Sequence, residues 1–218
     1  MPQRTYAAKK AKKPPKSSQS QAYAAMSGQK WLEMYLSKLD LTSLQRAQEL
    51  FGSGVIDTFE VGTVHGLKQI HGYLFEGLYE FAGQVRKLNI SKNNFSFANF
   101  RFLPKILPDI EKMPETSFDE IIEKYVEMNV AHPFLDGNGR SGRIWLDMML
   151  KKNLGHCIDW QIITKRDYMS AMERSPINDL EIKTLLKSAL TAEINSREVY
   201  LKGVERSYCY ESDSYVDT

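Results

Sequence analysis

The chain has 218 residues, and with 42% hydrophobic and 11% aromatic content it can bury one sizeable core with room for appendages. No apolar run approaches the roughly 18 residues of a membrane span, and no apolar stretch of signal-peptide kind follows the basic start, so a cytoplasmic protein without membrane contact is expected. The net charge of +2 is uneven: residues 1–30 hold seven basic and no acidic residues, leaving 22 basic against 27 acidic residues in the remainder, which argues against a nucleic-acid-binding body.

Residues 1–27 are rich in Lys, Ala, Ser, Gln and Pro and are read as a disordered basic tail, a solvated arm before a nucleic-acid- or partner-binding one. From residue 28 to about 212 the chain reads as one domain, with 213–218 a short second tail. Trp31, Tyr35 and Leu39, then Leu44, Ala47 and Phe51, recur at helical spacing, and Leu67, Ile70 and Leu74 mark a helix over Thr63–Phe75. His71 falls within that helix and reads as a core or support residue.

Between Leu88 and Asn99 the pattern changes. Asn93-Asn94 can take left-handed turn conformations, and Phe95 and Phe97 alternate around Ile90, Ser91 and Lys92, which predicts a short hairpin. A free hairpin edge could dock a target segment by strand addition; the other reading is a surface hairpin packing its phenylalanines on the core.

Helices resume at Ser117-Phe-Asp-Glu120, a capping box, and run through Ile121, Ile122 and Tyr125 to Pro133. Another runs from just after Gly139 to about Asn153 and stops at Gly155. Further helices are expected near 165–174, 179–190 and 196–211, the last opened by a second capping box, Asn195-Ser-Arg-Glu198. The fold class is all-α, a helical bundle with one small β-hairpin. Cys157 and Cys209 are too few for a disulfide framework, and His65, His71 and His156 have no ligand spacing for zinc.

The stretch His132-Pro-Phe-Leu-Asp-Gly-Asn-Gly-Arg-Ser-Gly-Arg143 suits phosphate chemistry. Gly137 and Gly139 let the backbone approach a ligand, and the helix start beyond them offers free N–H groups to an anion. Arg140 and Arg143 share one helix face and could grip successive phosphates. Arginines at a helix start oppose its dipole, which argues for an anion between them. Asp136 would repel phosphates unless it held a cation such as Mg²⁺, and His132 is placed to act as general base on a hydroxyl.

This segment matches the Fic motif H-P-F-x-[DE]-G-N-G-R-x-x-R at every specified position, and Gly83-Gln-Val-Arg86 with Asn89-Ile-Ser resembles the lead into that family's hairpin. The resemblance, over about residues 40–212, implies a Fic-type helical bundle that transfers AMP from ATP to a Tyr, Thr or Ser hydroxyl of a target protein. It further implies His132 as base, Phe134 as buried anchor, Asp136 as Mg²⁺ ligand, and Asn138, Arg140 and Arg143 as phosphate contacts. The amides of residues 137–140 would form an anion hole, and the hairpin would be a target-docking flap. Ser207 and Glu211 resemble the family's inhibitory motif [ST]-x-x-x-E-[GN], with Ser212 departing at the last position. In that scheme Glu211 pairs with Arg143, as in the small bacterial class that carries a C-terminal inhibitory helix. Bacterial topoisomerases are among the candidate targets, self-modification at Tyr208, Tyr210 or Tyr215 is a candidate reaction, and the class suggests a homo-oligomer. Transfer of phosphate, another nucleotide or phosphocholine, or non-catalytic nucleotide binding, are the alternatives. Kinase-like relatives lose the second loop glycine, and Gly139 keeps it.

Overall fold

The computed structural model describes residues 36–92 and 95–212. The predicted basic tail, Trp31, Tyr35, Asn93, Asn94 and Tyr215 lie outside the described residues. Eight α-helices are present among the described residues: α1 (Lys38–Gly52), α2 (Val64–Phe75), α3 (Leu103–Glu111), α4 (Phe118–Ala131), α5 (Asn138–Leu154), α6 (Lys165–Arg174), α7 (Leu180–Ser188) and α8 (Arg197–Glu211). No helix of the described residues is long and apolar enough to cross a membrane.

Most helix starts follow their capping chemistry. Ser37, Thr63, Ser117 and Thr164 each accept a hydrogen bond from the first turn, and at Ser117 the reciprocal bond to Glu120 completes a capping box. At α8 the sequence reading was one residue early: Ser196, not Asn195, is the cap, accepting from the Val199 amide. Gly155 ends α5 with φ +66°, a conformation that costs glycine least.

Two elements escaped the sequence reading. Helix α3 carries Pro104 in its first turn and Pro108 inside it, residues that disfavour a helix interior, yet Leu103, Leu107 and Ile110 give it a buried face. The expected hairpin is present as β1 (Ser91–Lys92) and β2 (Phe95–Ser96), but a second antiparallel pair joins β3 (Cys157–Ile158) to β4 (Leu190–Thr191). That pair is two residues long on each side and too short to leave a periodic signal.

Helix α5 is the centre of the bundle. Every residue from Arg140 to Leu150 is buried except Asp147, so its two arginines enter the core with Trp145 and Leu146. Helices α2 and α4 pack on α5, and α8 lies across α5, α1 and the turn at Trp160–Ile162. The C-terminal helix is thereby seated against the start of α5.

Arg86 ties the end of α4 to the hairpin. It is 3% exposed and donates to the carbonyls of His132 at 2.7 Å, Ala131 at 3.0 Å, Leu88 at 2.7 Å and Ala98 at 2.5 Å. Its charge is spread over four backbone dipoles rather than answered by a carboxylate. Replacing Arg86 with Ala strips those carbonyls of a shared donor, and a loss of about 3 kcal/mol is expected from urea unfolding with an unchanged slope; a loss below ~1 kcal/mol would rule out this clamping role.

Candidate active site

Helix α4 ends at His132, the one described non-glycine residue with positive φ (+48°, ψ 65°). A side chain in this left-handed conformation is strained, and strain of this kind persists where surrounding contacts enforce it. Pro133 forbids the helix from continuing, and Arg86 holds the His132 carbonyl. The imidazole Nδ1 lies 2.9 Å from the Asn129 carbonyl. A carbonyl only accepts, so Nδ1 carries the hydrogen and Nε2 keeps its lone pair.

The loop that follows is braced from within. The Asn138 side chain accepts from the Phe134 amide and donates to the Phe134 carbonyl, both at 2.8 Å, so it locks the turn and is fully engaged with backbone in this conformation. Phe134 is buried and stacks on His71 with ring centres 3.8 Å apart. His71 takes the opposite tautomer to His132: its Nδ1 accepts from the Gly83 amide and its Nε2 donates to the Asp136 carbonyl. It is a loop support, holding the Asp136 carbonyl and packing on the Phe134 ring. Gly137 has φ +80°, and a Cβ there would lie 2.5 Å from the Phe75 ring, so no larger side chain fits.

Gly137 caps α5, and Arg140 and Arg143 project from its first two turns into the core, 3% and 2% exposed. Each is met by a carboxylate. Arg140 contacts Asp40 of α1 at 2.6 Å and Asp136 at 3.1 Å, with the Phe75 ring beneath it. Its buried Nε has no partner among the described residues, leaving a donor unanswered in the loop. The Asp136 carboxyl is mostly exposed, and it accepts from Tyr79 and from the Gly137 amide, both at 2.6 Å.

Arg143 donates to the Ser207 hydroxyl (2.6 Å), the Ser207 carbonyl (2.8 Å) and the Glu211 carboxylate (2.8 Å). Burial would raise the Glu211 carboxyl, but Arg143 and then Lys92 outweigh it and hold it down at about 2. The Glu211 carboxylate also lies directly over Gly139, where any Cβ would collide with it. Ser212 has φ −82° in extended backbone and its carbonyl is held by Lys165 at 2.6 Å. The helix end therefore needs no glycine or asparagine.

The hairpin covers the imidazole. Phe97 stacks on His132 with centres 3.6 Å apart and planes 16° from parallel, and Phe95 meets Phe97 edge-on. Lys92 of β1 reaches Glu211 at 3.4 Å, so one carboxylate touches both α5 and the hairpin; Ile90 leads into that strand and Ser91 begins it. Of the residues singled out from sequence, the structure brings His132, Asp136–Arg143, Ser207, Glu211, Lys92 and Phe97 into one region. Tyr208 and Tyr210 are buried, and the Tyr210 hydroxyl donates to the Ile163 carbonyl. Asp40, Tyr79 and Arg86 were not picked out as contacts. Only Arg86 had a signal, its place in the segment before the hairpin; Asp40, a hundred residues from Arg140, had none.

Residues 62–150 match the model of the Fic/DOC family. The chain is 28% identical over 156 residues to the "Probable protein adenylyltransferase Fic" of Escherichia coli K12, covering 65% of this chain and 78% of that protein. It is 30% identical over 172 residues to "Protein adenylyltransferase VbhT" of Bartonella schoenbuchensis, covering 69% of this chain but 34% of that longer protein. Among solved structures, the BepC effector of Bartonella tribocorum with bound AMPPNP superposes with a TM-score of 0.60 at 19% identity, over 78% of this chain and 90% of that one. The fold is that of a helical Fic-type bundle, and residues 62–150 resemble a Fic/DOC domain.

Burial lowers both imidazoles to about 4, His71 and His132 alike, against the hydrogen bonds they donate to the Asp136 and Asn129 carbonyls, which act in the other direction. The unfolded chain takes up these protons near the ordinary 6.5, so stability is full above that value and declines as pH falls toward about 4. Unfolding at about pH 5 should therefore require less urea than at about pH 7, by on the order of 1–2 kcal/mol per histidine. In His71→Gln the pH-dependent loss should shrink; identical slopes in the two proteins would refute the buried, neutral assignment.

Proposed function

We propose that the chain is a protein adenylyltransferase, moving AMP from ATP to a Tyr, Thr or Ser hydroxyl of a target protein, and that the conformation described is its restrained form. The observation that carries this reading is the free Nε2 lone pair of His132 at the mouth of a loop whose amides and two arginines suit a polyphosphate. The incoming hydroxyl would give its proton to His132 Nε2 as its oxygen bonds to the α-phosphorus. The bond from the α-phosphorus to the bridging oxygen would break, and pyrophosphate would leave against the start of α5, with Arg140 and Arg143 answering its charge. Proton uptake by a base near 4 becomes easier once Phe97 lifts and the site takes up the anionic nucleotide, because burial is the first cause of the depression.

Asp136 fits the metal expected with ATP. Its exposed carboxyl stands beside the anion-binding turn, and no cluster of three or more acidic, His or Cys ligands occurs among the described residues. The remaining ligands would therefore come from phosphate oxygens and water, the usual arrangement for Mg²⁺. Bound there, the ion would neutralise charge on the departing pyrophosphate.

Three contacts oppose this reaction. Glu211 occupies Arg143 and the space over Gly139, Asp40 occupies Arg140, and Phe97 lies on His132. The first supports an inhibitory role for α8, since a triphosphate and the Glu211 carboxylate would compete for one guanidinium. The third supports a flap that must move before a target hydroxyl reaches the base. Tyr208 and Tyr210 could become acceptors for self-modification after α8 leaves its seat.

Incubation with ATP labelled at the α- or the γ-phosphate tests the reading. Label should reach protein from the α position only, His132→Ala should abolish transfer while retaining ATP binding, and Glu211→Gly should raise labelling by about tenfold or more, the equivalent of ~1.4 kcal/mol. Transfer from the γ position, or undiminished labelling in His132→Ala, would reject AMP transfer; unchanged or reduced labelling in Glu211→Gly would reject the brake.

A further inference from the structure

Behind the phosphate loop, on the far side of Arg143, α5 and α8 part to leave a cavity of about 230 Å³. Its walls come from α1 (Phe51), the turn Val55–Phe59, α5 (Ile144, Asp147, Met148), Trp160 and α8 (Val199 to Ser207). A cavity of about 150 Å³ lined by apolar groups is enough to hold a benzene ring, so this one accommodates a one- or two-ring aromatic body.

Asp147 gives the cavity its chemistry. It alone breaks the fully buried run of α5, being half-buried, and it lines the cavity. Its two carboxyl oxygens accept from the Ile158 amide at 2.9 Å and the Trp160 indole at 2.8 Å. Both donors are neutral, and Asp147 makes no ion pair among the described residues. An enclosed carboxylate without a counter-ion is costly, and it is relieved by taking either a proton or a cation. The other charges around the cavity balance, Asp57 and Glu193 against Lys151 and Lys152, while Arg143 is committed to Glu211 and Ser207. Charge selection therefore falls to Asp147.

We propose that this cavity is an effector site for a small aromatic amine, its ring among Phe51, Phe59 and Trp160 and its ammonium on Asp147, and that occupancy strengthens the hold of α8 on the active site. The second half follows from the walls. Gly203, Val204 and Ser207 of α8 complete the cavity, so an occupant binds the seated helix and loses its site when α8 departs. Only this second half rests on the transferase reading above.

Binding is measured by calorimetry on the whole chain with tryptamine, neutral indole and anionic indole-3-propionate. Tryptamine should bind at least ~10-fold tighter than either analogue, and Asp147→Asn should erase that preference. A second arm needs no variant. Burial pushes the Asp147 carboxyl up to about 7, so tryptamine affinity should rise about tenfold between about pH 6 and about pH 8 while indole affinity stays level. The groups facing Asp147 are Arg143 of its own helix, Tyr200 of α8 and Cys157 of β3; Cys157 is pushed up to about 12 and Tyr200 higher, so none of them titrates in that window. Absence of saturable binding, equal affinity for indole, or a flat tryptamine profile with pH would overturn the site. With ATP labelling as readout, saturating tryptamine should lower transfer by the unaltered chain and leave Glu211→Gly unaffected. Unaltered labelling would overturn the regulatory half, whereas no labelling even in ligand-free Glu211→Gly would count against the transferase reading and leave the calorimetry standing.

Discussion

A guanidinium buried as deeply as that of Arg143 cannot be left without an anion, because removing its charge from water costs several kcal/mol unless a partner meets it. On the proposed function the start of α5 would have two stable conditions, one with a phosphate against Arg143 and one with a protein carboxylate. In the structure the second holds: Glu211 and Ser207 supply a carboxylate, a hydroxyl and a carbonyl to one side chain. The position of α8 follows from this clasp, and with it the cover over Gly139 and the reach of Lys92 from the hairpin. On that reading the burial that would make Arg143 a strong phosphate ligand makes the competing carboxylate strong as well, so activation and restraint would draw on one desolvation cost.

The motif region was legible because its chemistry is local. A helix end, two glycines and two arginines within twelve residues define the loop without reference to the rest of the fold, and the cap at Ser117 and the stop at Gly155 are written in neighbouring residues. The Arg143–Glu211 contact spans 68 residues but was readable from the four-residue spacing of Ser207 and Glu211 together with the family resemblance. Contacts without a local signature were not. Asp40 reaches Arg140 across a hundred residues from one half-buried position of α1, and nothing in the sequence around it distinguishes it from any surface aspartate. Helix α3 drew no expectation: it is short and carries two prolines, which disfavour a helix, and its stability comes from burying Leu103, Leu107 and Ile110.

The two histidines show how one residue type is set to different tasks by its neighbours. Both are shielded from water and held neutral, yet the Asn129 carbonyl fixes the hydrogen on Nδ1 of His132, while the Gly83 amide claims Nδ1 of His71 and leaves its hydrogen on Nε2. The first arrangement leaves a lone pair free at the ring's far nitrogen, as a base requires. The second uses both nitrogens on backbone and has nothing left to offer a substrate. Sequence position alone ranks the two equally; the hydrogen-bond partner separates them.

Gly139 joins these arguments. A first-turn helical position with ordinary backbone angles gains nothing from glycine and loses stability by it, so the residue must be there for what it lacks. In the structure the missing Cβ is filled by the Glu211 carboxylate. An anionic oxygen packed on the backbone at the first turn of a helix is also where a phosphate would sit, because the free amides and the dipole favour negative charge there whatever carries it. Any side chain at 139 would displace the Glu211 carboxylate. On the proposed function it would crowd the phosphate as well, so restraint and nucleotide binding would be coupled at that position by excluded volume as well as by charge.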